Sequence, residues 1–121
     1  MATAYNGRID AAQREGKNLK ITWANQIYDL EYYGIVKGSP NVDTAYKYLA
    51  FALGADAQAE YARNIAYGPT NTKALARLDA KVLGGLPTAP ANTPGALEFN
   101  IRFWADQGEA LEKRFAAWAT Q

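Results

Sequence analysis

The chain has 121 residues, a length typical of one domain that can bury its own core. Thirteen lysine and arginine residues against twelve aspartate and glutamate residues give a net charge of +1, so the composition provides no basic surface for nucleic acid. The absence of cysteine and histidine excludes thiol nucleophiles, disulfides, Ser-His-Asp triads and almost every transition-metal site.

The N-terminal residues predict two strands around one helix. MATAY, residues 1–5, tolerates β structure, and the turn signal NGR leads into a helical segment, IDAAQREG, that ends at Gly16. Residues 19–24, LKITWA, alternate apolar and polar side chains with the period of a half-buried strand.

An aromatic and β-branched segment follows. Residues 27–37, IYDLEYYGIVK, contain one glycine and predict extended backbone that another group approaches closely. Asp29 and Glu31 lie two positions apart, so their carboxylates point to the same side of an extended segment.

The middle of the chain predicts two helices. Asn41 is a favourable cap for the first, which continues at helical spacing until Gly54. Asp56 opens the second, and the break at Tyr67-Gly68-Pro69 ends it.

The remaining residues predict two more helices around a turn-rich connection. A third helix starts at Asn71 or Thr72 and continues through Val82. Residues 84–95, GGLPTAPANTPG, predict a crossing on the surface, and residues 96–119 predict a long final helix.

This order of elements leaves the strands without enough neighbours. Two short strands and an extended segment make a poor sheet, and open edges are a liability unless something pairs with them. The strands therefore look suited to a larger sheet, which suggests that the chain is a fragment.

Several motifs in order carry a family resemblance. They are YNG, an extended segment ending in I-x-K-x-x-x-N, a helix, ADAQA, and the break YGPTN. Together they resemble the C-terminal portion of a bacterial ABC-transporter solute-binding protein of the spermidine/putrescine-binding type. The resemblance covers nearly the whole chain.

The resemblance implies an α/β fold: the C-terminal fragment of a two-lobed periplasmic-binding-protein (type II) fold, helix-rich with two or three short strands. Residues 1–28 would belong to the second lobe, residues 29–68 to a hinge crossing and part of the first lobe, and residues 69–121 to the return into the second lobe and the C-terminal helices. The complete protein would be periplasmic, although MATAYNGRID lacks the basic region and apolar stretch of a signal peptide. The implied partners are a small amine ligand, the complementary N-terminal part of the same protein, and an ABC-transporter permease.

The resemblance also implies ligand-binding residues. Glu31 matches a carboxylate that meets the ligand's amine, and Asp29 occupies the place of an aromatic residue, so an amino acid of the γ-aminobutyrate type fits as well as a polyamine. The alternative is that Asp29 and Glu31 form an acidic, solvent-exposed edge whose carboxylates pair with Lys37 or Lys20. Tyr67 matches an aromatic residue that faces the interlobe cleft. From its position alone, it is a C-cap hydrophobe packing on the preceding helix.

Four further residues complete the candidate site. Trp23 and Tyr5 are candidates for an aromatic lining, because aromatic faces attract alkylammonium groups, whereas Tyr33 is assigned to packing. Asn100 matches a polar amide contact of the family, and Arg102 is a candidate partner for a ligand carboxylate. We expect no metal, cofactor or catalytic residue.

Three functions are compatible with this sequence. The preferred one is the ligand-binding component of an ABC transporter. The second is a split-sensor fragment or helical interaction domain that binds no ligand of its own. The third is an enzyme with Asp29 and Glu31 as an acid/base pair, which ranks last because no histidine, phosphate-binding glycine loop or metal cluster supports it.

Overall fold

Helices joined by irregular segments make up most of the chain. The computed structural model describes residues 2–121. Two short strands, β1 (Ile27–Tyr28) and β2 (Leu97–Glu98), form one sheet. The helices are α1 (Asn6–Arg14), α2 (Val42–Ala52), α3 (Ala55–Asn64), α4 (Thr72–Leu75), α5 (Ala80–Gly84) and α6 (Ile101–Ala119).

The two strands are parallel, with Ile27 opposite Leu97 and Tyr28 opposite Glu98. The Leu97 amide donates to the Gln26 carbonyl at 2.8 Å, and the Phe99 amide donates to the Tyr28 carbonyl at 2.8 Å. Parallel strands require a long crossover, and residues 29–96 provide it with four of the helices. The two ends of this crossover therefore lie side by side at the sheet.

The predicted strands at 1–5 and 19–24 are wrong wherever the structure describes them. Residues 2–5 and 19–24 belong to no strand, and Met1 lies outside the described residues. Alternation shows which side chains share a face, but a strand also needs a neighbour to pair with, and neither segment has one within residues 2–121.

α2 and α3 follow the predicted boundaries closely, whereas α1 begins at Asn6, inside the predicted NGR turn, and ends at Arg14. α1 is followed by Gly16 in the left-handed region, with φ of 84°, which favours glycine at that turn. Asn41 is the N-cap of α2, although its side chain makes no capping hydrogen bond. α3 ends at Asn64, because Ile65 adopts extended backbone, so the helix stops before the predicted break at Tyr67.

The predicted third helix is divided into α4 and α5. Asn71 caps α4 through a hydrogen bond from the Lys73 amide at 3.1 Å. Asp79 then accepts from the Val82 amide at 2.8 Å and becomes the N-cap of a new helix. A side chain that satisfies free amides at a helix start offers the backbone an alternative to continuing one helix.

The buried core is small and includes a residue of the predicted surface crossing. Ala62, Ala66 and Leu86 form its centre, with Leu75 and Leu78 packed against them. Leu86 has no exposed surface, so placing residues 84–95 wholly on the surface is wrong at this position.

Side-chain amides donate hydrogen bonds to the backbone carbonyls of this turn, and these bonds compensate for the loss of water on burial. The Asn92 amide donates to Gly84 at 3.0 Å and to Leu86 at 2.8 Å. The Gln26 amide donates to Pro87 at 2.9 Å and to Asn92 at 2.8 Å. Because buried carbonyls need partners, these bonds stabilise the turn and join it to the residue before β1.

The turn also packs tightly on Gly68. A Cβ atom at Gly68 would lie 2.5 Å from Thr88 Cγ2 and 2.6 Å from Thr88 Oγ1. We therefore expect Gly68→Ala to cost about 1–3 kcal/mol of unfolding free energy through overpacking, measured by urea denaturation followed by circular dichroism. Gly34→Ala is the control, because a Cβ atom there meets no described atom within 4 Å. Equal stabilities of the two variants would contradict the assigned packing.

Candidate functional site

Tyr61 of α3 is under the electrostatic influence of one carboxylate and two other tyrosines. Burial raises the pKa of Tyr61 above its ordinary value of 10.0, and the Glu31 carboxylate and the Tyr33 and Tyr67 hydroxyls raise it further. These groups therefore lie within electrostatic range of the hydroxyl of Tyr61, which is itself 51% exposed. We call Glu31, Tyr33, Tyr61 and Tyr67 the tyrosine cluster.

The N-terminus of α1 positions Tyr67. A Cβ atom at Gly7 would lie 2.7 Å from Tyr67 Cε1, so the ring rests directly on this glycine. The Asn6 side-chain amide donates to the Ala66 carbonyl, and the Tyr67 amide donates to the Ile65 carbonyl at 2.6 Å. The sequence YNG at the start of α1 thus supports the aromatic ring of Tyr67, three residues after the end of α3.

The break after Tyr67 is held by α2 and α3. Gln58 of α3 accepts from the Asn71 amide at 2.8 Å and donates to Thr70 at 3.2 Å. The Asn71 side chain donates to the Leu53 carbonyl at the end of α2, at 3.0 Å. These bonds fix the loop, so a ring projecting from it keeps its place.

Glu31 and Asp29 are both exposed, but their surroundings differ. Asp29 accepts a hydrogen bond from the Leu30 amide at 2.8 Å. Within residues 2–121, neither carboxylate forms an ion pair, including with Lys20 or Lys37. Glu31 acts on Tyr61, whereas Asp29 is not among the groups that do. Of these two carboxylates, only that of Glu31 contributes to the raised pKa of Tyr61.

The other predicted site residues form no side-chain bond with the cluster within residues 2–121, although Tyr5 lies two positions before Gly7, which contacts the Tyr67 ring. Trp23 is half-buried before β1, and Tyr5 is 76% exposed at the start of α1. Asn100 caps α6 by accepting from the Phe103 amide at 2.9 Å, and Arg102 is exposed in the first turn of that helix. Among the described residues, no hydrogen bond, ion pair or ring stacking joins these four to the cluster.

Sequence reasoning did not select Tyr61, and it assigned Tyr33 to packing. Tyr33 does meet Tyr48 of α2 edge to face, with ring centroids 6.4 Å apart, yet it remains 60% exposed. Tyr61 lies off the apolar face of α3 that carries Ala59 and Ala62. An aromatic residue outside the buried face of the helix leading to Tyr67 is the signal that points to it.

The residue types of the cluster suit a cation. Tyrosine faces attract ammonium groups by about 0.5–2 kcal/mol each, and a carboxylate adds a charge-assisted hydrogen bond. The described part of the chain contains no group of three acidic side chains arranged for a metal ion. Over the same residues, no helix is both long and apolar enough to cross a bilayer.

The pKa of Tyr61 provides a direct test of this arrangement. We expect Glu31→Gln to lower it, because one negative charge that opposes ionisation of the phenol is removed. Asp29→Asn is the matched control and leaves the pKa unchanged. The measurement is an alkaline titration of tyrosinate absorbance, with Tyr61→Phe identifying the signal. The same downward shift in both variants would show that Glu31 has no special proximity to Tyr61.

The raised pKa of Tyr61 also fixes the sign of its pH-dependence. The folded chain holds this proton to higher pH than the unfolded chain does. The resulting stabilisation is therefore fully present below pH 10.0 and is lost as the pH rises through the folded-state pKa.

A protein-family comparison identifies the chain. Residues 1–88 match the family model described as bacterial extracellular solute-binding protein. The chain belongs to the bacterial extracellular solute-binding protein family. This match includes every member of the tyrosine cluster.

A curated relative supports this family membership. The solute-binding chain is 49% identical over 121 residues to the gamma-aminobutyric acid-binding protein of Pseudomonas aeruginosa, and the alignment covers 100% of this chain and 34% of that protein. The chain thus spans about a third of the length of its relative.

Solved structures give the same result for the fold. The binding protein AgtB from A. tumefaciens R10, in complex with agropinic acid, is 38% identical with a TM-score of 0.74; the match covers 96% of this chain and 37% of that one. The Atu4243 GABA receptor is 27% identical with a TM-score of 0.66, covering 93% of this chain and 35% of that one. Nearly all of the solute-binding chain therefore has the periplasmic-binding-protein fold, and it corresponds to about a third of that fold.

Proposed function

We propose that this solute-binding chain contributes the ammonium-binding part of a receptor for γ-aminobutyrate or a closely related small amine. The observation that carries the proposal is the convergence of Glu31 with Tyr61, Tyr67 and Tyr33. It places one carboxylate within electrostatic range of the Tyr61 hydroxyl, together with two further tyrosine hydroxyls, and this composition suits one alkylammonium group. The relative from Pseudomonas aeruginosa, named for γ-aminobutyric acid, supports the same choice.

The composition of the cluster favours a ligand with one amine over a polyamine. Only Glu31 contributes a carboxylate to it, and Asp29 lies where the polyamine-binding pattern has an aromatic residue. A ligand with several ammonium groups needs a negative partner for each when it is desolvated. Arg102 is our proposed partner for the carboxylate end of an amino-acid ligand in the complete protein.

In the complete protein, the site would lie in the cleft between two lobes. We assign residues 1–28 and 69–121 to the second lobe and residues 29–68 to the hinge crossing and first lobe, as the family resemblance implies. Ligand binding would favour the closed arrangement, because only that state contacts the ligand from both lobes. The complete receptor would act in the periplasm, deliver its ligand to an ABC-transporter permease, and catalyse no reaction.

The experiment uses a chimera in which this chain replaces the aligned segment of the Pseudomonas aeruginosa protein. Calorimetric titration with γ-aminobutyrate, putrescine and spermidine should show preferred binding of γ-aminobutyrate. The unaltered Pseudomonas protein is the control for the ligand and the measurement. A folded chimera that binds none of these amines would overturn the proposal and favour an interaction domain without a ligand, whereas preference for spermidine would overturn the choice of γ-aminobutyrate.

A further inference from the structure

The first turn of α1 covers one face of the Tyr67 ring. A Cβ atom at Gly7 would lie 2.7 Å from Cε1, 3.1 Å from Cζ and 3.3 Å from Cδ1 of Tyr67. These three consecutive ring atoms lie at similar distances, whereas an approach in the plane of the ring would leave the neighbours of the nearest atom much farther away. Gly7 therefore lies over the face of the ring, so a ligand can meet this ring only on its opposite face.

Two hydrogen bonds hold α1 against the segment that carries Tyr67. At the first residue of the helix, the Asn6 side-chain amide donates to the Ala66 carbonyl. At its last residue, Arg14 Nη2 donates to the Arg63 carbonyl of α3 at 3.3 Å. The helix is thus attached at both ends, and it can move away from the ring only by breaking one of these bonds.

The backbone of Tyr67 is held as well. Its amide donates to the Ile65 carbonyl at 2.6 Å. The next residue, Gly68, packs so closely on Thr88 that a Cβ atom there would lie 2.5 Å from Thr88 Cγ2. Because the backbone is held on both sides of the contact, a side chain at position 7 would displace the ring by rotating the Tyr67 side chain about its own bonds.

We propose that Gly7 is a positioning residue for ligand binding, because the absence of a side chain at position 7 lets the Tyr67 ring lie with its opposite face towards the ligand ammonium. This inference rests on the proposed function, which assigns Tyr67 a contact with the amine. An aromatic ring attracts a cation that lies over its face. Glycine allows the close approach of another group to the backbone. Any side chain at position 7 would therefore turn the ring face away from the cation and weaken binding.

Gly7→Ala in the chimera with the Pseudomonas protein tests this role. The variant should bind γ-aminobutyrate about 2- to 30-fold more weakly, which is the range expected for losing one contact between a cation and an aromatic ring. Its thermal midpoint should not fall, because alanine is favoured over glycine in a helix and the ring yields rather than the backbone. Gly84→Ala is the matched control, since Gly84 also lies in a helix and a Cβ atom there meets no described atom within 4 Å. Unchanged affinity of Gly7→Ala, equal losses in the two variants, or a loss accompanied by a lower thermal midpoint would overturn the proposal.

A double-mutant cycle shows whether Gly7 acts through Tyr67. In a Tyr67→Ala background the ring is absent, so adding Gly7→Ala should change the affinity for γ-aminobutyrate by less than about twofold. The effects of the two substitutions are then not additive, as expected when one residue works by placing the other. If Gly7→Ala weakens binding by the same factor with and without the ring, position 7 does not act by placing Tyr67, and the proposal is wrong.

Fluorine NMR of the chimera labelled with 3-fluorotyrosine observes the ring without a ligand. The resonance that disappears in Tyr67→Phe belongs to residue 67. Gly7→Ala should shift this resonance, whereas Gly84→Ala should leave it in place. An unmoved resonance in a chimera that binds γ-aminobutyrate would overturn the role of Gly7 alone. A chimera that binds no amine would instead refute the proposed function, and with it the ligand contact of Tyr67, even if the resonance shifts.

Discussion

Leu86→Ala is expected to lose about 2–5 kcal/mol of unfolding free energy, which is enough to unfold much of a small domain. Leu86 is the largest side chain that is fully buried, at 0% exposure, and it packs with Ala62 and Ala66 of α3 and its C-terminal extension. Alanine removes several buried methyl and methylene groups and leaves a cavity between a helix and a turn. Because the other core members are mostly alanines, few side chains can move in to fill it.

Urea denaturation followed by circular dichroism measures this loss. Leu97→Ala is the matched control, because the same groups are removed from a side chain that is 63% exposed. We expect the control to stay within about 0.5 kcal/mol of the unaltered chain. A similar cost for both variants would mean that the core around Leu86 does not hold the fold together.

Glu31→Gln is expected to weaken γ-aminobutyrate binding by the chimera about 10- to 150-fold. The substitution keeps the size of the side chain but replaces a charge-assisted hydrogen bond to the ligand ammonium, which contributes about 1.5–3 kcal/mol. At 1.4 kcal/mol for each tenfold change in affinity, this contribution gives the stated range. The tyrosine rings remain, so residual binding through their faces should persist.

Asp29→Asn tests whether the effect belongs to position 31. Asp29 lies two residues away and carries the same charge, but its carboxylate bonds to the Leu30 amide and does not act on Tyr61. Calorimetric titration should show less than about a threefold change for this variant. If the two variants lose the same affinity, the ligand responds to general negative charge and the tyrosine cluster is not its site.

Elements defined by local sequence were predictable. α2 begins after Asn41 and ends before Gly54 because capping and helical spacing are properties of neighbouring residues. β2 escaped prediction because Leu97 and Glu98 fit the helical spacing of the residues after them. They become a strand only through pairing with Ile27 and Tyr28, which are remote in sequence.

Some residues of the candidate site were also predictable from the sequence, whereas others required the tertiary structure. Glu31 and Tyr67 were selected from a family pattern, and the structure brings both to the tyrosine cluster, although their role in binding stays a prediction. Tyr61 required knowledge of the tertiary fold, because the extended segment after β1 approaches α3 only in three dimensions. Gly7 is similar: NGR predicted a turn, but these residues begin α1, and the glycine makes room for the Tyr67 ring.

The two-residue ladder between β1 and β2 has a consequence for how the chain folds. It joins residues separated by 70 positions, and closing so long a loop costs about 4 kcal/mol of chain entropy. The hydrogen bonds of two residue pairs do not offset this entropy. We therefore expect α2 to α5 to form first and to bring β1 and β2 close together. During synthesis, Ile27 and Tyr28 then remain an unpaired edge until Leu97 and Glu98 are made. A chain released before that point is expected to aggregate through this edge.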